Sequence, residues 1–222
     1  MHSSSSTRSA RQPPIAPIGG GVGAPLFERL GKLSLPAIGW RVEGLELLTG
    51  PQYVMVVAPH TSNWDLPIGL ICAHALGLFT HWQIGYLIKA EAIRWPLIGR
   101  LLHWFGGIPV ERHAAQDVVD QVVAIFRTAG RLVIAITPEG TRSHRDYWKT
   151  GFYRIALKAD VPLALAFLDF KRRVAGIGKV FTPSGDPEAD IQIIREFYAP
   201  ITARYPDKVG AIRFRPGDLQ GM

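Results

Sequence analysis

Two short, nearly uninterrupted apolar runs, Tyr53–Ala58 (YVMVVA) and Leu132–Thr137 (LVIAIT), constrain the fold more than any other feature of the chain. A strand that is apolar at successive positions is buried on both faces, as happens when helices cover both sides of a parallel sheet. Helical patterns lie between and around these runs. Pro25–Lys32 reads as a short amphipathic helix with Phe27 and Leu30 on one side, and Leu66–Leu78 as a buried helix. Trp95–Phe105 reads as a helix opening at Pro96, a residue favoured at the first helical position. Gln116–Thr128 turns Val119, Val122, Val123 and Phe126 to one face. Tyr153–Ala159 and Ala189–Arg204 complete the helices, the last ending near Tyr205-Pro206. Further strands are expected at Ile38–Gly44, Ile84–Lys89, Ile108–Glu111, Pro162–Leu168 and Lys179–Phe181. This alternation predicts an α/β fold: a three-layer domain with a mostly parallel central sheet.

The 222 residues leave room for one full core. Residues 1–24 form a Ser-, then Pro-, then Gly-rich tract with too little apolar surface to order itself, and are expected to be a disordered leader. Lacking an apolar h-region, the tract is not a secretory signal. The excess of 25 Lys and Arg over 18 Asp and Glu favours anionic partners: phosphates, nucleic acid or acidic lipid headgroups. The positive charges are scattered, with only Lys171-Arg172-Arg173 in a run, so nucleic acid is not expected as a partner. The single cysteine, Cys72, excludes an intramolecular disulfide and makes a reducing compartment the default. Leu66–Ile88 holds no Lys, Arg, Asp or Glu and is long enough to cross a bilayer of about 30 Å. Its two histidines, Gln83, proline and three glycines, and the change of pattern at Thr80–Trp82, point instead to a helix followed by a strand.

Two loops follow the buried strands at the ends where open α/β sheets place their sites. The first is Pro59-His60-Thr61-Ser62-Asn63-Trp64-Asp65. On one ideal helix His60 and Asp65 would point about 140° apart. A turn between Pro59 and Pro67 lets Asp65 reach one imidazole nitrogen and leaves the other as a general base for a substrate hydroxyl. Taken alone, the loop also reads, and more readily, as a plain helix cap from Ser62, Asn63 or Asp65, with His60 a packed histidine. The second loop, Pro138-Glu139-Gly140-Thr141-Arg142-Ser143, can offer backbone N–H groups and a guanidinium to a phosphate, or be a simple β-turn. In Gly106-Gly107-Ile108-Pro109-Val110-Glu111-Arg112 the arginine is either a further anion contact or a solvated charge. His74 reads as a packed core residue, and His81, His103, His113 and His144 have no metal-ligand spacing. Trp82, Trp95 and Trp104 lie near apolar helices and are expected in the core.

Taken in order, H-x-x-x-x-D (His60, Asp65), G-x-I-x-x-x-R (Gly106, Ile108, Arg112) and P-E-G-T-R-S (Pro138–Ser143) resemble the glycerolipid acyltransferase family, of which lysophosphatidate acyltransferases are the best-known members. Val161-Pro162-Leu163 sits where that family has its last motif, and Lys149 and Gly151 where it commonly has a basic residue and a glycine. The chain departs from the pattern at Pro59, Thr137 and Leu165, and it lacks the long apolar amino-terminal helices of many members.

The resemblance implies an acyltransferase domain over residues 25–210 and a carboxyl-terminal tail over 211–222. It implies His60, held by Asp65, as the base that deprotonates a lysophospholipid hydroxyl, with 1-acylglycerol-3-phosphate the leading acceptor. The alkoxide attacks an acyl thioester on coenzyme A or acyl carrier protein, with no metal or other cofactor. Arg112, Glu139, Gly140, Thr141 and Arg142 are implied as the acceptor site. A peripheral position on the cytoplasmic side of a membrane is the expected location. The same chemistry on a non-phosphate lysolipid, such as a lyso-aminolipid, and a non-catalytic basic membrane-binding protein are the alternative readings.

Overall fold

The computed structural model describes residues 24–89, 106–110 and 115–218. The leader up to residue 23, the helix expected at Trp95–Phe105, with Trp95 and Trp104, and Arg112 lie outside the described residues.

Seven strands make one sheet: β1 (Arg41–Glu43), β2 (Gln52–Ala58), β3 (Gln83–Lys89), β4 (Gly107–Val110), β5 (Leu132–Ile136), β6 (Leu163–Asp169) and β7 (Val174–Phe181). Their order is β1-β7-β6-β2-β5-β3-β4, and every neighbouring pair is parallel except β6 and β7. The expected α/β architecture with a mostly parallel sheet is the one observed. β2 and β5, the two apolar runs, lie side by side at the centre with Val56 opposite Ile136. Val54, Val56, Ile134, Leu163 and Leu165 are wholly buried there. Because β2 and β5 are parallel and in register, the loops that follow them emerge together at one edge of the sheet.

Helices α1 (Ala24–Ile38), α2 (Asp65–Leu76) and the short α3 (Leu78–His81) pack together, while α4 (Ala115–Thr128) packs on α5 (Gly151–Ala159). A further helix, α6, spans Pro187–Tyr198. The charge-free stretch Leu66–Ile88 is divided among α2, α3 and β3. Among the described residues no helix is long and apolar enough to cross a membrane.

Several boundaries differ from expectation for local reasons. α1 continues past Lys32 through Pro36, and closes with Trp40 N–H on Leu35 O and Gly39 N–H on Pro36 O, the paired bonds of a Schellman motif. That closure delays β1 to Arg41. α6 starts early because Asp186 Oδ1 accepts from the N–H groups of Glu188 and Ala189, with Pro187 in the first turn. It stops at Tyr198, since Pro200 cannot continue it, so the expected run to Arg204 is not formed. β7 begins five residues before Lys179 because Gly176 and Gly178, which break the apolar pattern, are accommodated within the hairpin with β6.

The chain after residue 198 leaves the helix and crosses back over the loop edge of the sheet. Phe170 N–H bonds Thr202 O, and Trp148 N–H bonds Arg213 O, where Trp148 and Phe214 form a parallel bridge. Ile212 and Phe214 pack against the core.

Candidate active site

His60 and Asp65 meet across the turn. His60 Nδ1 lies 3.1 Å from Asp65 Oδ2. The same oxygen accepts the backbone N–H groups of Thr61 and Ser62, each at 2.8 Å. The His60 side chain is 16% exposed and that of Asp65 only 5%, so the imidazole is reachable while its carboxylate is shielded. The contact is the one expected of a turn between Pro59 and Pro67, and no side-chain cap forms at the start of α2. Trp64 is the N-cap of α2, with no side-chain cap bond, and Ser62 Oγ accepts only the N–H of Trp64. The Asp65 carboxylate faces back into the loop rather than capping the helix. Its Oδ1 is buried with no hydrogen-bond partner.

The loop after β5 is a β-turn, with Gly140 N–H on Thr137 O and Pro138 at the second position. Gly140 has φ +65°, and a Cβ there would lie 2.7 Å from Lys149 Nζ, so the lysine side chain folds over a bare backbone. Lys149 N–H bonds Pro138 O, which ties the lysine to the turn. Thr141 Oγ1 accepts the N–H of Ser143.

Glu139 is placed differently from the acceptor contact the resemblance implied. Its Oε1 accepts the backbone N–H of His60 at 3.0 Å, and its Oε2 is buried without a partner. The carboxylate lines a small cavity of about 30 Å³ behind the His60 loop, together with Pro59, Trp148, Tyr198 and Ile212. Burial pushes the Glu139 carboxyl above the usual carboxylate range, against the opposing pull of its own N–H and that of His60. Beneath it, the Tyr198 hydroxyl is shared between Val56 O and Ala166 O, each at 2.9 Å, fastening α6 under β2 and β6. Burial and then the neighbouring Glu139 charge hold that phenol well above its ordinary value.

In front of the loop is an open groove of about 350 Å³, walled by residues 61–64 and by Arg142. Arg142, of the residues in the second loop, faces this groove. Tyr205 and Lys208, neither singled out by any motif, form the remaining wall. They stand more than sixty residues after Arg142, in a segment without periodicity; the one available signal was the Tyr205-Pro206 pair.

Other candidates sit apart. Pro162 is at the opposite edge of the sheet, where its carbonyl accepts from Val54 N–H at the start of β6. His74 stacks on Phe79 with ring centroids 4.3 Å apart, and burial lowers its pKa. Burial pushes the Cys72 thiol up to about 12, which keeps it protonated. Trp82 is buried, as expected. Among the described residues no cluster of three or more His, Cys, Asp or Glu side chains could hold a metal ion.

A family model described as Acyltransferase matches residues 39–164, more than half of the chain and inclusive of both loops. Among solved structures, the fold is similar to the 1-acyl-sn-glycerophosphate (LPA) acyltransferase PlsC from Thermotoga maritima. That match has a TM-score of 0.53 and 19% identity, and covers 82% of this chain and 81% of the other. No curated protein matches in sequence. With a family model spanning most of the sheet and both loops at its edge, the chain belongs to the acyltransferase family.

Proposed function

We propose that this protein transfers a fatty acyl group from a thioester to the free hydroxyl of a lysophospholipid, with 1-acylglycerol-3-phosphate as acceptor and phosphatidate as product. The observation that carries the reading is the His60 Nδ1 to Asp65 Oδ2 contact at 3.1 Å, with Asp65 shielded and His60 reachable. A carboxylate on Nδ1 fixes the tautomer in which Nε2 has a lone pair. Nε2 takes the acceptor's hydroxyl proton as its oxygen attacks the thioester carbonyl. The tetrahedral intermediate collapses with loss of the thiolate, which recovers the proton from the imidazolium. The thioester is already activated, so the reaction as drawn requires no metal and no nucleophile from the enzyme. Coenzyme A or acyl carrier protein can present the acyl group.

Arg142, on the groove wall, and Arg112 are proposed to bind the acceptor phosphate; a guanidinium matches a phosphate with two parallel N–H bonds. Glu139 is proposed to serve the site from behind, through the His60 backbone.

Substrate and product of this reaction reside in membranes, and we place the protein peripherally at the cytoplasmic face. Support comes from the exposed Leu26, Leu30 and Leu33 of α1, and from Trp64 and Leu66 at the start of α2, on a chain of net charge +7. The test of the reaction is acyl transfer by the purified protein from labelled oleoyl-CoA to a panel of lysolipids, with His60→Ala alongside. Transfer to lysophosphatidate that the substitution abolishes is the expected result. Undiminished transfer by a folded His60→Ala protein would overturn the mechanism.

A further inference from the structure

The segment 205–209 bridges the first loop and the chain just after the second. At one end Tyr205 N–H bonds Thr61 Oγ1 at 3.2 Å, next to His60. At the other, His144 Nδ1 contacts Val209 O at 3.1 Å, two residues beyond Arg142. Gly210 then runs so close to the following stretch that a Cβ on it would lie 1.8 Å from Arg145 O. Between these anchors, residues Pro206–Lys208 form a turn of 3₁₀-helix, with Lys208 N–H on Tyr205 O. In that geometry side chains three apart eclipse one another. Lys208 accordingly lies over the Tyr205 ring, its Nζ 4.5 Å from the centroid.

The result is a second cation on the groove that Arg142 already lines. Among the described residues, neither Arg142 nor Lys208 has a carboxylate partner, whereas Lys32, Lys158 and Arg195 each do. Among the described residues no carboxylate lines the groove. Two cations without carboxylate partners on the walls of one groove concentrate positive potential there and favour an anion. At the rim Trp64 is 58% exposed, which offers an apolar surface beside the charged seat. A ligand with an anionic head and an apolar body fits both halves.

We infer that Lys208 is a specificity-determining residue that, with Arg142, seats the phosphomonoester head of the acceptor, an inference that rests on the acyl-transfer reading above. The Tyr205 ring and the 3₁₀ turn hold the ammonium in place, which lowers the entropy lost when it engages the phosphate.

The experiment measures binding of sn-glycerol 3-phosphate to the full chain by calorimetry at low salt. It compares the unaltered protein with Lys208→Met, Lys208→Arg and Lys179→Met; the last removes one exposed charge from β7, outside the groove. Lys208→Met is expected to weaken binding about tenfold, with Lys208→Arg and Lys179→Met close to the unaltered protein. Equal affinity in Lys208→Met, an equal loss in Lys179→Met, or no binding by the unaltered protein at millimolar ligand would each overturn the inference. The transfer assay is separate. Binding that depends on Lys208 without acyl transfer to any acceptor keeps the seat and removes the reaction. His60-dependent transfer to lysophosphatidate with an unchanged KM in Lys208→Met keeps the reaction and removes the lysine.

Discussion

Glu139 and His60 are 79 residues apart in the chain, yet Glu139 Oε1 accepts the His60 backbone N–H at 3.0 Å. The bond joins the loop after β5 to the loop after β2, and it exists because those strands are parallel neighbours in register. A glutamate read from sequence as a substrate contact is, in the fold, a brace for the proposed base.

If Glu139 acts through that brace, removing its acceptor oxygen should disturb His60 more than acceptor binding. Glu139→Ala is expected to lower kcat with little change in acceptor KM, and Glu139→Gln, which keeps an oxygen for the His60 N–H, to restore most of the rate. A rise confined to KM in both variants would return Glu139 to the acceptor site.

The raised pKa of Glu139 carries a stability consequence of defined sign. The folded state holds this proton more tightly than the unfolded state. Its contribution is therefore fully present below the unfolded value and is lost as pH rises through the folded one. Glu139→Gln, uncharged at every pH, should melt at a higher temperature than the unaltered protein at pH 7. The gap should close as pH falls toward about 4.3, the usual value of an unfolded glutamate. Melting curves between pH 4 and 8 test this.

Asp65→Asn separates orientation of the base from support of the loop. The substitution removes the charge beside His60 Nδ1 and is expected to reduce kcat by about 10⁴-fold, as in other histidine–carboxylate pairs. An amide oxygen can still accept the Thr61 and Ser62 N–H groups, so the melting temperature should fall only modestly. A large drop in stability with kcat within tenfold would favour a purely structural aspartate.

Much of this arrangement was legible from residue type and spacing. β2, β5 and β6 are apolar runs, and a strand buried on both faces announces itself in that way. The turn that brings Asp65 to His60 was also readable, because Pro59 and Pro67 bracket it. The direction of Glu139 was not: whether a carboxylate faces a groove or a neighbouring backbone depends on a strand pairing across 79 residues. The wall at Tyr205 and Lys208 was equally hidden. Residues 205–214 carry no helical or strand periodicity, and hold their course through isolated long-range bonds such as those of Tyr205 to Thr61 and Trp148 to Arg213. Residues 211–222 read as a tail, and the part that is described, through Ile212 and Phe214, packs on the core.

Gly210 offers a direct handle on that segment. A methyl group there would meet the backbone of Arg145, which cannot swing aside as a flexible side chain does. Gly210→Ala is expected to cost roughly 1–3 kcal/mol and to displace residues 205–214. Hydrogen exchange should rise there and at Trp148, leaving β2 and β5 protected. Unchanged exchange would mean that the segment is held elsewhere.

Arg142→Ala should raise acceptor KM at least tenfold with kcat largely kept, since a guanidinium on the groove wall binds substrate and transition state alike. An acceptor KM equal to that of the unaltered protein would remove Arg142 from the phosphate seat.

The path of residues 205–210 also bears on when the protein becomes competent during its synthesis. The strands and both loops are contributed by chain that leaves the ribosome earlier, while one wall of the groove is supplied by Tyr205 and Lys208, which emerge after all seven strands. A nascent chain can thus assemble the His60–Asp65 pair while the groove before it still stands open on one side, and that side closes only once residues 205–210 have followed.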